Sequence, residues 1–327
     1  MVKVLITGVA GFIGSTLADC LLDEGFAVVG IDNFDEFYDP RLKRVNIRVA
    51  LQRADFELVE GDFRDPRFLG RVFRDHTFQA VLHLGACVGV RPSIERVSLY
   101  VDVNLAGTTQ LLEASRHGGV SRFLFASSSS VYGVRPAEPF SERDNVDHPI
   151  SPYAATKKAG ELLCYTYHHL FQMKITGLRF FTVYGPRQRP EMAIHKFTRA
   201  IDQGEPITIY GDGSARRDFT YISDIISGIR SALDRCDGYH VYNLGGGNTV
   251  TVNEVVRLIE KELGKKAIIE YRPTAPGDVP NTLADVFLAR EKLDYYPQVE
   301  IADGIRKFVF WYLCQKNRKE CNGYLLK

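Results

Sequence analysis

The feature that most constrains the fold is an alternation of short apolar runs with amphipathic stretches through the first 180 residues. Six runs of six or seven residues read as strands: KVLITG, AVVGID, FELVEGD, AVLHLGA, RFLFASS and ITGLRFF. Amphipathic stretches such as 12–24 and 98–117 lie between them. Because nearly continuous apolar strands that alternate with helices must be covered on both faces, the pattern predicts an α/β fold with a doubly wound parallel sheet.

The rhythm changes after residue 181, where loops, turn dipeptides and shorter elements follow one another. One strand-like run, YHVYNLG at 239–245, is expected to return to the first sheet. We therefore predict a large domain at 1–180, joined again by 220–246, and a smaller C-terminal lobe at 181–327.

The composition indicates a soluble globular protein. Hydrophobic residues make up 45% and charged residues 25%, and 41 basic side chains balance 40 acidic ones. This balance gives no reason to expect nucleic acid or a membrane surface as a partner, and no apolar run reaches the roughly 20 residues that span a bilayer. The N-terminus runs directly into a strand pattern, and six cysteines lack paired spacing. A cytoplasmic protein with free thiols and no metal site is expected.

A glycine-rich turn, LITGVAGFIGS, joins the first apolar run to the first amphipathic stretch and spaces Gly8, Gly11 and Gly14 three residues apart. Glycine lets the chain turn tightly, approach a pyrophosphate and pack the next helix onto the sheet. The helix N-terminus then presents free N–H groups and the positive end of its dipole to that phosphate. Since a strand precedes the glycines and a helix follows them, the turn predicts a dinucleotide site.

Two acidic residues follow the second and third runs. Asp32 ends AVVGID about 20 residues beyond the glycines, where a carboxylate accepts hydrogen bonds from a ribose diol. A phosphate on that ribose would be repelled, so NAD is expected rather than NADP. Asp62, in EGDF, is a candidate adenine contact by position. The alternatives are an ordinary strand-end turn for Asp32 and a solvated turn for Asp62.

Tyr153 and Lys157 are four residues apart in SPYAATKKAGE and therefore share one face of a helix. A tyrosine with a pKa of about 10 is a poor base at neutral pH. An ammonium one turn away and a positive nicotinamide both favour the phenolate, which lowers this pKa. The serine run ASSSSVYG ends the fifth strand, where a hydroxyl can orient a substrate hydroxyl. The combination is far rarer than any single member.

Together these motifs resemble those of extended short-chain dehydrogenases/reductases, in the group of nucleotide-sugar epimerases and dehydratases. The resemblance covers nearly the whole chain, through TGVAGFIGS, DNF, HLGA, SSSSVYG, YAATK, LRFFTVYGPRQRP and RRDFTYISDI. It implies that the first domain is an NAD-binding Rossmann domain and that the C-terminal lobe binds a nucleotide sugar.

The resemblance also implies roles for individual residues. The catalytic hydroxyl lies three residues before the valine of VYG, which selects Ser128, with Tyr153 as the base and Lys157 as its partner on the nicotinamide ribose. Because side chains alternate along a strand, we expect Ser129 to point to the other face of the strand end. In this group the tyrosine removes the proton of the sugar 4-hydroxyl while hydride passes from carbon 4 to NAD. The expected cofactor contacts are Gly8, Gly11, Phe12, Ile13, Gly14, Asp32, Asn33, Asp62, Phe63, Leu84, Tyr153 and Lys157.

The residues before VYG distinguish among the reactions of the group. Relatives that dehydrate carry an Asp-Glu pair there, and those that decarboxylate a uronic acid carry a Glu immediately before it. This chain has Ser129 and Ser130 instead. The resemblance therefore favours epimerisation, in which the 4-keto sugar turns over and takes the hydride back on its other face. NAD is then regenerated in each turnover and should stay bound.

The resemblance implies a nucleoside diphosphate sugar as substrate. Arg217 of ARRDF matches an arginine on the pyrophosphate, Asp278 of PGDVP a ribose-binding aspartate, and Tyr210 of ITIYG an aromatic position near uracil. Many relatives have an arginine three residues before that aspartate, where this chain has Ala275. Another residue, for which Arg272 is a candidate, must supply that part of the phosphate contact.

The segment FTVYGPRQRPEMA places Arg187 and Arg189 between two prolines that restrict the backbone. With DNFDEFYDPRLKR and GVRPSIE, it resembles UDP-glucuronate 4-epimerases more than UDP-glucose 4-epimerases. Arg189 is then expected to bind the sugar carboxylate bidentately and to protect the β-keto acid formed at carbon 4 from losing carbon dioxide. The alternative is that both arginines only hold the loop or reach the diphosphate. The expected substrate contacts are Arg91, Ser128, Tyr153, Thr182, Arg189, Tyr210, Arg217 and Asp278.

Other functions remain open at this level. A UDP-glucose 4-epimerase is the first alternative, ahead of a nucleotide-sugar decarboxylase or dehydratase and of a non-catalytic NAD-binding regulator. A regulator has little need for the intact serine, tyrosine and lysine, and a net dehydrogenase would have to exchange its cofactor. By analogy of fold, the helices near 98–117 and 153–171 are expected to form a homodimer interface.

Overall fold

The computed structural model describes residues 2–135, 138–273, 279 and 281–317. Its strands, in chain order, are β1 (Lys3–Thr7), β2 (Ala27–Asp32), β3 (Phe56–Glu60), β4 (Ala80–His83), β5 (Arg122–Ser128), β6 (Lys174–Phe180), β7 (Thr182–Tyr184), β8 (Pro206–Tyr210), β9 (Arg216–Arg217), β10 (Phe219–Tyr221), β11 (Tyr239–Leu244), β12 (Val250–Thr251) and β13 (Ile268–Arg272).

Helices separate most of these strands. They are α1 (Phe12–Asp23), α2 (Pro40–Asn46), α3 (Pro66–Asp75), α4 (Val90–Glu95), α5 (Val97–Val101), α6 (Thr108–His117), α7 (Pro152–Phe171), α8 (Ala193–Gln203), α9 (Ile222–Asp234), α10 (Val252–Leu263), α11 (Phe287–Leu293) and α12 (Ile301–Lys316). A π-helical turn at Asp102–Gly107 joins α5 to α6, and 3₁₀ turns lie at Ala50–Gln52 and Ser129–Tyr132.

Seven parallel strands of the described chain form the central sheet, in the order β11-β6-β5-β4-β1-β2-β3. Each of the six apolar runs supplies one strand, which confirms the doubly wound parallel sheet. The buried core of β1 shows why: Val4, Leu5 and Ile6 are fully buried, as strands covered on both faces require. The chain moves outward on one side from β1 and on the other from β4, so the strand order reverses between these two neighbours. Ligands bind at such switch points, beyond the carboxyl ends of the strands.

The run predicted at 239–245 does return to the sheet. β11 pairs in parallel with β6, from Tyr239 opposite Ile175 to Leu244 opposite Phe180. The helix before it, α9, packs against α1 and the sheet. Three two-stranded pairs, β7 with β10, β8 with β13 and β9 with β12, form the remaining described strands beside α8, α10 and α12. The domain boundaries at 180 and 220–246 stay a prediction.

A buried carboxylate ties the crossing segments of the C-terminal half together. Asp218 accepts hydrogen bonds from the backbone N–H groups of Gly246 (2.6 Å), Gly247 (3.1 Å) and Ala284 (3.1 Å). It is fully buried, so these bonds replace the water that the carboxylate loses on folding. The segment 281–284 is thereby held beside β9 and β10, the strands that flank Asp218.

Four of the cysteines are free thiols, as expected: Cys20, Cys87, Cys164 and Cys236. The described residues contain no group of His, Cys, Asp and Glu side chains arranged to hold a metal ion. Within the same residues, no helix combines the length and the apolarity needed to cross a bilayer.

Candidate active site

A cavity of about 400 Å³ lies at the carboxyl ends of the central strands. It brings together every residue that the sequence assigned to the cofactor, from the glycine turn after β1 to the tyrosine and lysine of α7. Ser128, Thr182 and Arg189 line the same cavity. Twelve cofactor positions, of which Tyr153 is also a substrate position, and three further substrate positions therefore face one space, although they come from separate segments of the chain.

The glycine turn has the geometry that a pyrophosphate requires. Gly8 has a φ of 69°, and a Cβ added to it would lie 2.8 Å from the Cα of Gly85. A Cβ on Gly14 would overlap the carbonyl oxygen of Gly8, so α1 packs against the turn only because this residue is glycine. Gly11 precedes α1, and no described side chain caps that helix. The N–H groups of its first turn are thus available to an anion, and the residues fit a dinucleotide.

Asp32 has a structural role as well as a place in the cavity. Its carboxylate accepts hydrogen bonds from the backbone N–H of Ala10 (3.0 Å) within the glycine turn and of Phe34 (2.9 Å). Burial raises the pKa of this carboxyl, against the opposing effect of these bonds and of the Lys43 charge. Asp32 therefore fixes the glycine turn and still lines the cavity, where a ribose diol would find its remaining acceptor capacity.

Asp62 is not a simple solvated turn residue. It accepts hydrogen bonds from Asn33 Nδ2 (3.1 Å) and from the Arg64 guanidinium, whose Nη2 lies 2.6 Å away. Burial acts to raise the pKa of Asp62, but the bonds from Arg64 outweigh it and the pKa is lowered. Arg64 also pairs with Asp102 at 2.5 Å. Asn33, Asp62 and Arg64 therefore form a polar side of the cavity that is held in place by hydrogen bonds and ion pairs.

The three catalytic candidates come from β5 and α7. Ser128 is the last residue of β5, and its Oγ accepts a hydrogen bond from the N–H of Ser130 at 3.1 Å. Helix α7 begins with Pro152 behind a Ser151 cap that accepts from the N–H of Ala154, which places Tyr153 in the first turn. Lys157, one turn later, is buried and donates to the carbonyl oxygen of Ala126 at 2.7 Å. Its Nζ lies 6.0 Å from the Tyr153 ring centroid.

The electrostatics of Tyr153 differ from the expectation. Burial raises the pKa of the phenol above its ordinary value, while a hydrogen bond with Ser128 and the positive charge of Arg189 act in the opposite direction. Lys157, whose own pKa burial lowers to about 8, is not among the groups that lower the pKa of Tyr153 here. The lowering expected from Lys157 and a bound nicotinamide together stays a prediction, and among the described groups the cation that opposes burial is Arg189 of the 186–190 loop.

Strand alternation also fails at the serine run. β5 ends at Ser128, and Ser129–Tyr132 form a 3₁₀ turn instead of continuing the strand. Ser129 and Ser130 consequently line the same cavity as Ser128 instead of facing away from it. The turn forms because the Ser128 hydroxyl caps it.

The two arginines of the 186–190 loop face different surroundings. Arg187 donates to the Asp19 carboxylate of α1 at 2.7 Å, and only 9% of its side chain is exposed. Arg189 lines the cavity, with its guanidinium carbon 5.8 Å from the Phe37 ring centroid. Arg187 therefore holds the loop, as the alternative interpretation supposed, while Arg189 presents its charge to the space that Tyr153 faces.

Three further expected substrate contacts, Arg91, Tyr210 and Arg217, do not line this cavity. The Arg91 guanidinium stacks over the Tyr210 ring, with its carbon 4.1 Å from the ring centroid. Arg272 is the β13 residue directly opposite Tyr210, so the proposed replacement for the missing arginine lies at the same place. Arg217, on β9, donates to the carbonyl oxygen of Arg216 at 2.9 Å. Asp278 and Ala275 fall outside the described residues.

Several cavity residues were not assigned from the sequence. Phe37, Tyr38 and Lys43 reach the cavity from the segment after β2, and Cys87 and Met192 from the segments after β4 and β7. The sequence does carry a signal for the first three, because the segment DNFDEFYDPRLKR is aromatic and basic and begins at Asp32. Lys43 Nζ donates to the carbonyl oxygen of Asp35 at 2.6 Å, which fixes its charge near Asp32.

Comparisons with known proteins agree with this geometry. Residues 5–308 match the family described as GDP-mannose 4,6 dehydratase. The chain is 43% identical over 308 residues to a UDP-glucuronate 4-epimerase from Thermodesulfobacterium geofontis, an alignment that covers 94% of this chain and 95% of that protein.

Solved structures of sugar nucleotide epimerases have the same fold. A UDP-glucuronic acid 4-epimerase from Bacillus cereus, in complex with UDP-glucuronic acid and NAD, aligns with a TM-score of 0.91 at 38% identity over 96% of this chain and 99% of that one. A UDP-glucose 4-epimerase from Thermotoga maritima with UDP-glucose aligns with a TM-score of 0.89 at 30% identity, over 97% of this chain and all (100%) of that one. The chain therefore belongs to this family of extended short-chain dehydrogenases/reductases, which also contains the UDP-glucuronate 4-epimerases.

Proposed function

We propose that the protein is an NAD-dependent UDP-sugar 4-epimerase that interconverts UDP-glucuronate and UDP-galacturonate through a 4-keto sugar. One observation carries the choice of substrate: Arg189 lines the same cavity as Ser128, Tyr153 and Lys157. A cation at this place matches a sugar that carries a carboxylate. The relatives named UDP-glucuronate 4-epimerases support the same choice.

In this proposal Tyr153 takes the proton of the sugar 4-hydroxyl, and Ser128 holds that hydroxyl in place. The interaction between the Ser128 and Tyr153 hydroxyls, which both line the cavity, supports placing them around one substrate oxygen. NAD, when bound, accepts hydride from carbon 4 and returns it to the other face of that carbon. Lys157, anchored to Ala126, holds the nicotinamide ribose and adds positive charge near the phenol.

The uronate needs protection during this reaction. Once carbon 4 is a ketone, the sugar is a β-keto acid, and its carboxylate can leave as carbon dioxide. A carboxylate bound bidentately by Arg189 must give up two charge-assisted hydrogen bonds to leave as a neutral molecule, so the barrier to its loss rises. Thr182 lines the same cavity as Arg189, and in this proposal its hydroxyl contacts the same carboxylate.

The nucleotide is assigned to the residues outside the cavity. Arg91 and Tyr210 form a stacked pair beside Arg272, and we assign them to the uridine and diphosphate, with Arg217 on the pyrophosphate. Asp278 keeps its predicted contact with the uridine ribose. This division leaves the hexose between the nucleotide residues and the catalytic hydroxyls.

The alternative substrate, UDP-glucose, is distinguished by a direct assay. Purified protein should convert UDP-glucuronate to UDP-galacturonate with bound NAD and no net NADH, and should turn over UDP-glucose at least tenfold less efficiently. Such a ratio corresponds to about 1.4 kcal/mol of differential binding in the transition state. Preference for UDP-glucose would reject the uronate assignment, and net NADH release would reject epimerisation.

We also propose that the protein is a homodimer. Helices α5 and α7 pack side by side and together expose Val97, Val101, Leu162 and Tyr165, each more than 40% accessible. Apolar side chains on adjacent helices are typical of a subunit interface. Light scattering on the purified protein should give twice the 36.8 kDa chain mass, and a monomer would reject this proposal. Cytoplasmic location stays a prediction from the sequence.

A further inference from the structure

The cavity arginine has a carboxylate partner of its own. The Nε of Arg189 lies 3.1 Å from Oε1 of Glu191, and 18% of the Arg189 side chain is exposed against 40% of Glu191. Nη2 of the same guanidinium donates to the Met192 sulfur at 3.4 Å, and a thioether is a weak acceptor. Glu191 does not line the cavity, so it contacts Arg189 from the more exposed side.

The atom that Glu191 contacts determines which part of Arg189 remains available. A guanidinium holds a carboxylate bidentately either through Nη1 and Nη2 or through Nε and Nη2. Because a Glu191 oxygen lies at Nε, the edge formed by Nε and Nη2 is already occupied by the protein. The edge formed by Nη1 and Nη2 is then the one left for a carboxylate in the cavity, and Met192 is the weak contact that such a ligand displaces.

Asp19, the other carboxylate near this loop, cannot orient Arg189. Asp19 is bound by Arg187 at 2.7 Å on the α1 side of the loop. Among the described residues, Glu191 is the acidic side chain within ion-pair distance of Arg189. The backbone supports this placement, since the N–H of Met192 donates to the carbonyl oxygen of Arg189 at 3.1 Å and closes a turn around Glu191.

We propose that Glu191 is a positioning residue that orients Arg189 toward the sugar carboxylate, and that it thereby contributes to selection of a uronate and to retention of its carbon dioxide. This inference rests on the proposed function. Glu191 touches neither sugar nor cofactor in this account and acts only through Arg189. In the side reaction that it suppresses, the bond between carbons 5 and 6 breaks. The electron pair of that bond forms an enolate with the carbon 4 carbonyl, carbon dioxide leaves, and carbon 5 takes a proton.

Two Glu191 variants distinguish its role as a hydrogen-bond acceptor for Arg189 from its negative charge and from an effect on the loop. Glu191→Ala removes the acceptor at Nε, whereas Glu191→Gln keeps an amide oxygen at the same place. Asp303→Ala is the matched control, because Asp303 pairs with Arg306 at 2.8 Å on the exposed face of α12 and does not line the cavity. Each NAD-loaded protein is assayed for kcat and KM with UDP-glucuronate, for the Kd of UDP-glucose, and for the fraction of product released as a UDP-pentose.

Glu191→Ala should raise KM for UDP-glucuronate by about 5- to 20-fold with a smaller change in kcat, the scale of one charge-assisted hydrogen bond. The decarboxylated fraction should rise severalfold, while the Kd of UDP-glucose stays within about twofold of wild type. Glu191→Gln should recover most of the lost efficiency, and Asp303→Ala should resemble wild type throughout.

Two results would overturn the inference while leaving the proposed function standing. Tighter binding of UDP-glucuronate by Glu191→Ala would show that Glu191 competes with the substrate, and an equal loss of UDP-glucose affinity would show a purely structural role. Failure of the wild-type protein to epimerise UDP-glucuronate would reject the proposed function itself, and this inference with it. That outcome appears in the wild-type assay alone, so the two failures are distinguishable.

Discussion

Arg187 is bound to Asp19 at 2.7 Å, and this ion pair fastens the 186–190 loop to helix α1. Both side chains are largely buried, and Arg187 adopts a left-handed backbone φ of 68° that favours glycine. The strain is tolerated because the ion pair and the flanking prolines fix the loop. Two residues further on, Arg189 is directed into the cavity. Neighbouring arginines thus have different roles.

The first prediction compares these two arginines. Arg187→Leu should lower the free energy of unfolding by about 2–4 kcal/mol, because it leaves the Asp19 carboxylate buried without a partner. Arg189→Leu should change it by less than about 1 kcal/mol, since its partner Glu191 is exposed and solvent screens the pair. Urea denaturation of the two variants side by side provides the measurement. Equal losses would contradict the separation of roles.

This difference between the arginines could not be predicted from the sequence. The partner of Arg187 is Asp19, 168 residues away, and nothing in the local pattern identifies it. The central sheet, in contrast, was predictable, because each strand is a nearly continuous apolar run and buried parallel strands have this pattern. Even the returning strand β11 was visible as the run at 239–245.

The glycine turn and the Tyr153 and Lys157 pair were predictable because the spacing of a turn and of a helix face fixes them. The orientation of Ser129 was not predictable, because the strand ends at Ser128, whose side chain caps a 3₁₀ turn. The pKa of Tyr153 was not either, since it depends on the depth of burial and on a cation from a distant loop. Helix spacing shows which groups are close and not how much water surrounds them.

The second prediction concerns the base. Tyr153→Phe should remove nearly all turnover of UDP-glucuronate and leave most of the bound NAD in place, because only the hydroxyl is lost from a cavity with many other cofactor contacts. Turnover is followed by chromatography of the two epimers, and NAD is quantified after denaturing the protein. A variant that kept most of the wild-type rate would show that another group is the base.

The third prediction concerns the serine at the end of β5. Ser128→Ala should slow the reaction by about 10- to 100-fold, the scale of one or two hydrogen bonds in the transition state. Since Ser129 lines the same cavity, Ser129→Ala is an informative comparison and should be less impaired, because the hydrogen bond with Tyr153 belongs to Ser128. Single-turnover rates compare the two. Equal impairment would undo the assignment of Ser128.

The fourth prediction follows from the pKa of Lys157, which burial lowers from 10.5 to about 8. Between these values the unfolded chain binds a proton that the folded protein does not, so the free energy of unfolding rises with pH. Below pH 8 the cost of the buried ammonium is fully present, up to about 3 kcal/mol. Lys157→Met, although inactive, should therefore be more stable than wild type at neutral pH.

Between pH 7 and pH 10 the free energy of unfolding of wild type should rise relative to that of Lys157→Met. The difference between the two proteins should approach zero or change sign, because the variant lacks the hydrogen bond to Ala126. Denaturant unfolding is measured on protein freed of NAD, since bound nucleotide stabilises whichever variant binds it better. A difference that does not change with pH would show that Lys157 keeps an ordinary pKa.

The most direct test of the central claim is product analysis of wild type and Arg189→Leu with UDP-glucuronate and UDP-glucose. The account predicts that wild type makes UDP-galacturonate without losing carbon dioxide. Arg189→Leu should lose roughly 30- to 1000-fold in catalytic efficiency on UDP-glucuronate, equal to about 2–4 kcal/mol for a desolvated bidentate pair. Its residual product should include a UDP-pentose or its 4-keto form, detected by mass, while any UDP-glucose turnover changes much less. Equal damage with both substrates, and no decarboxylated product, would contradict the role of Arg189 as the carboxylate clamp.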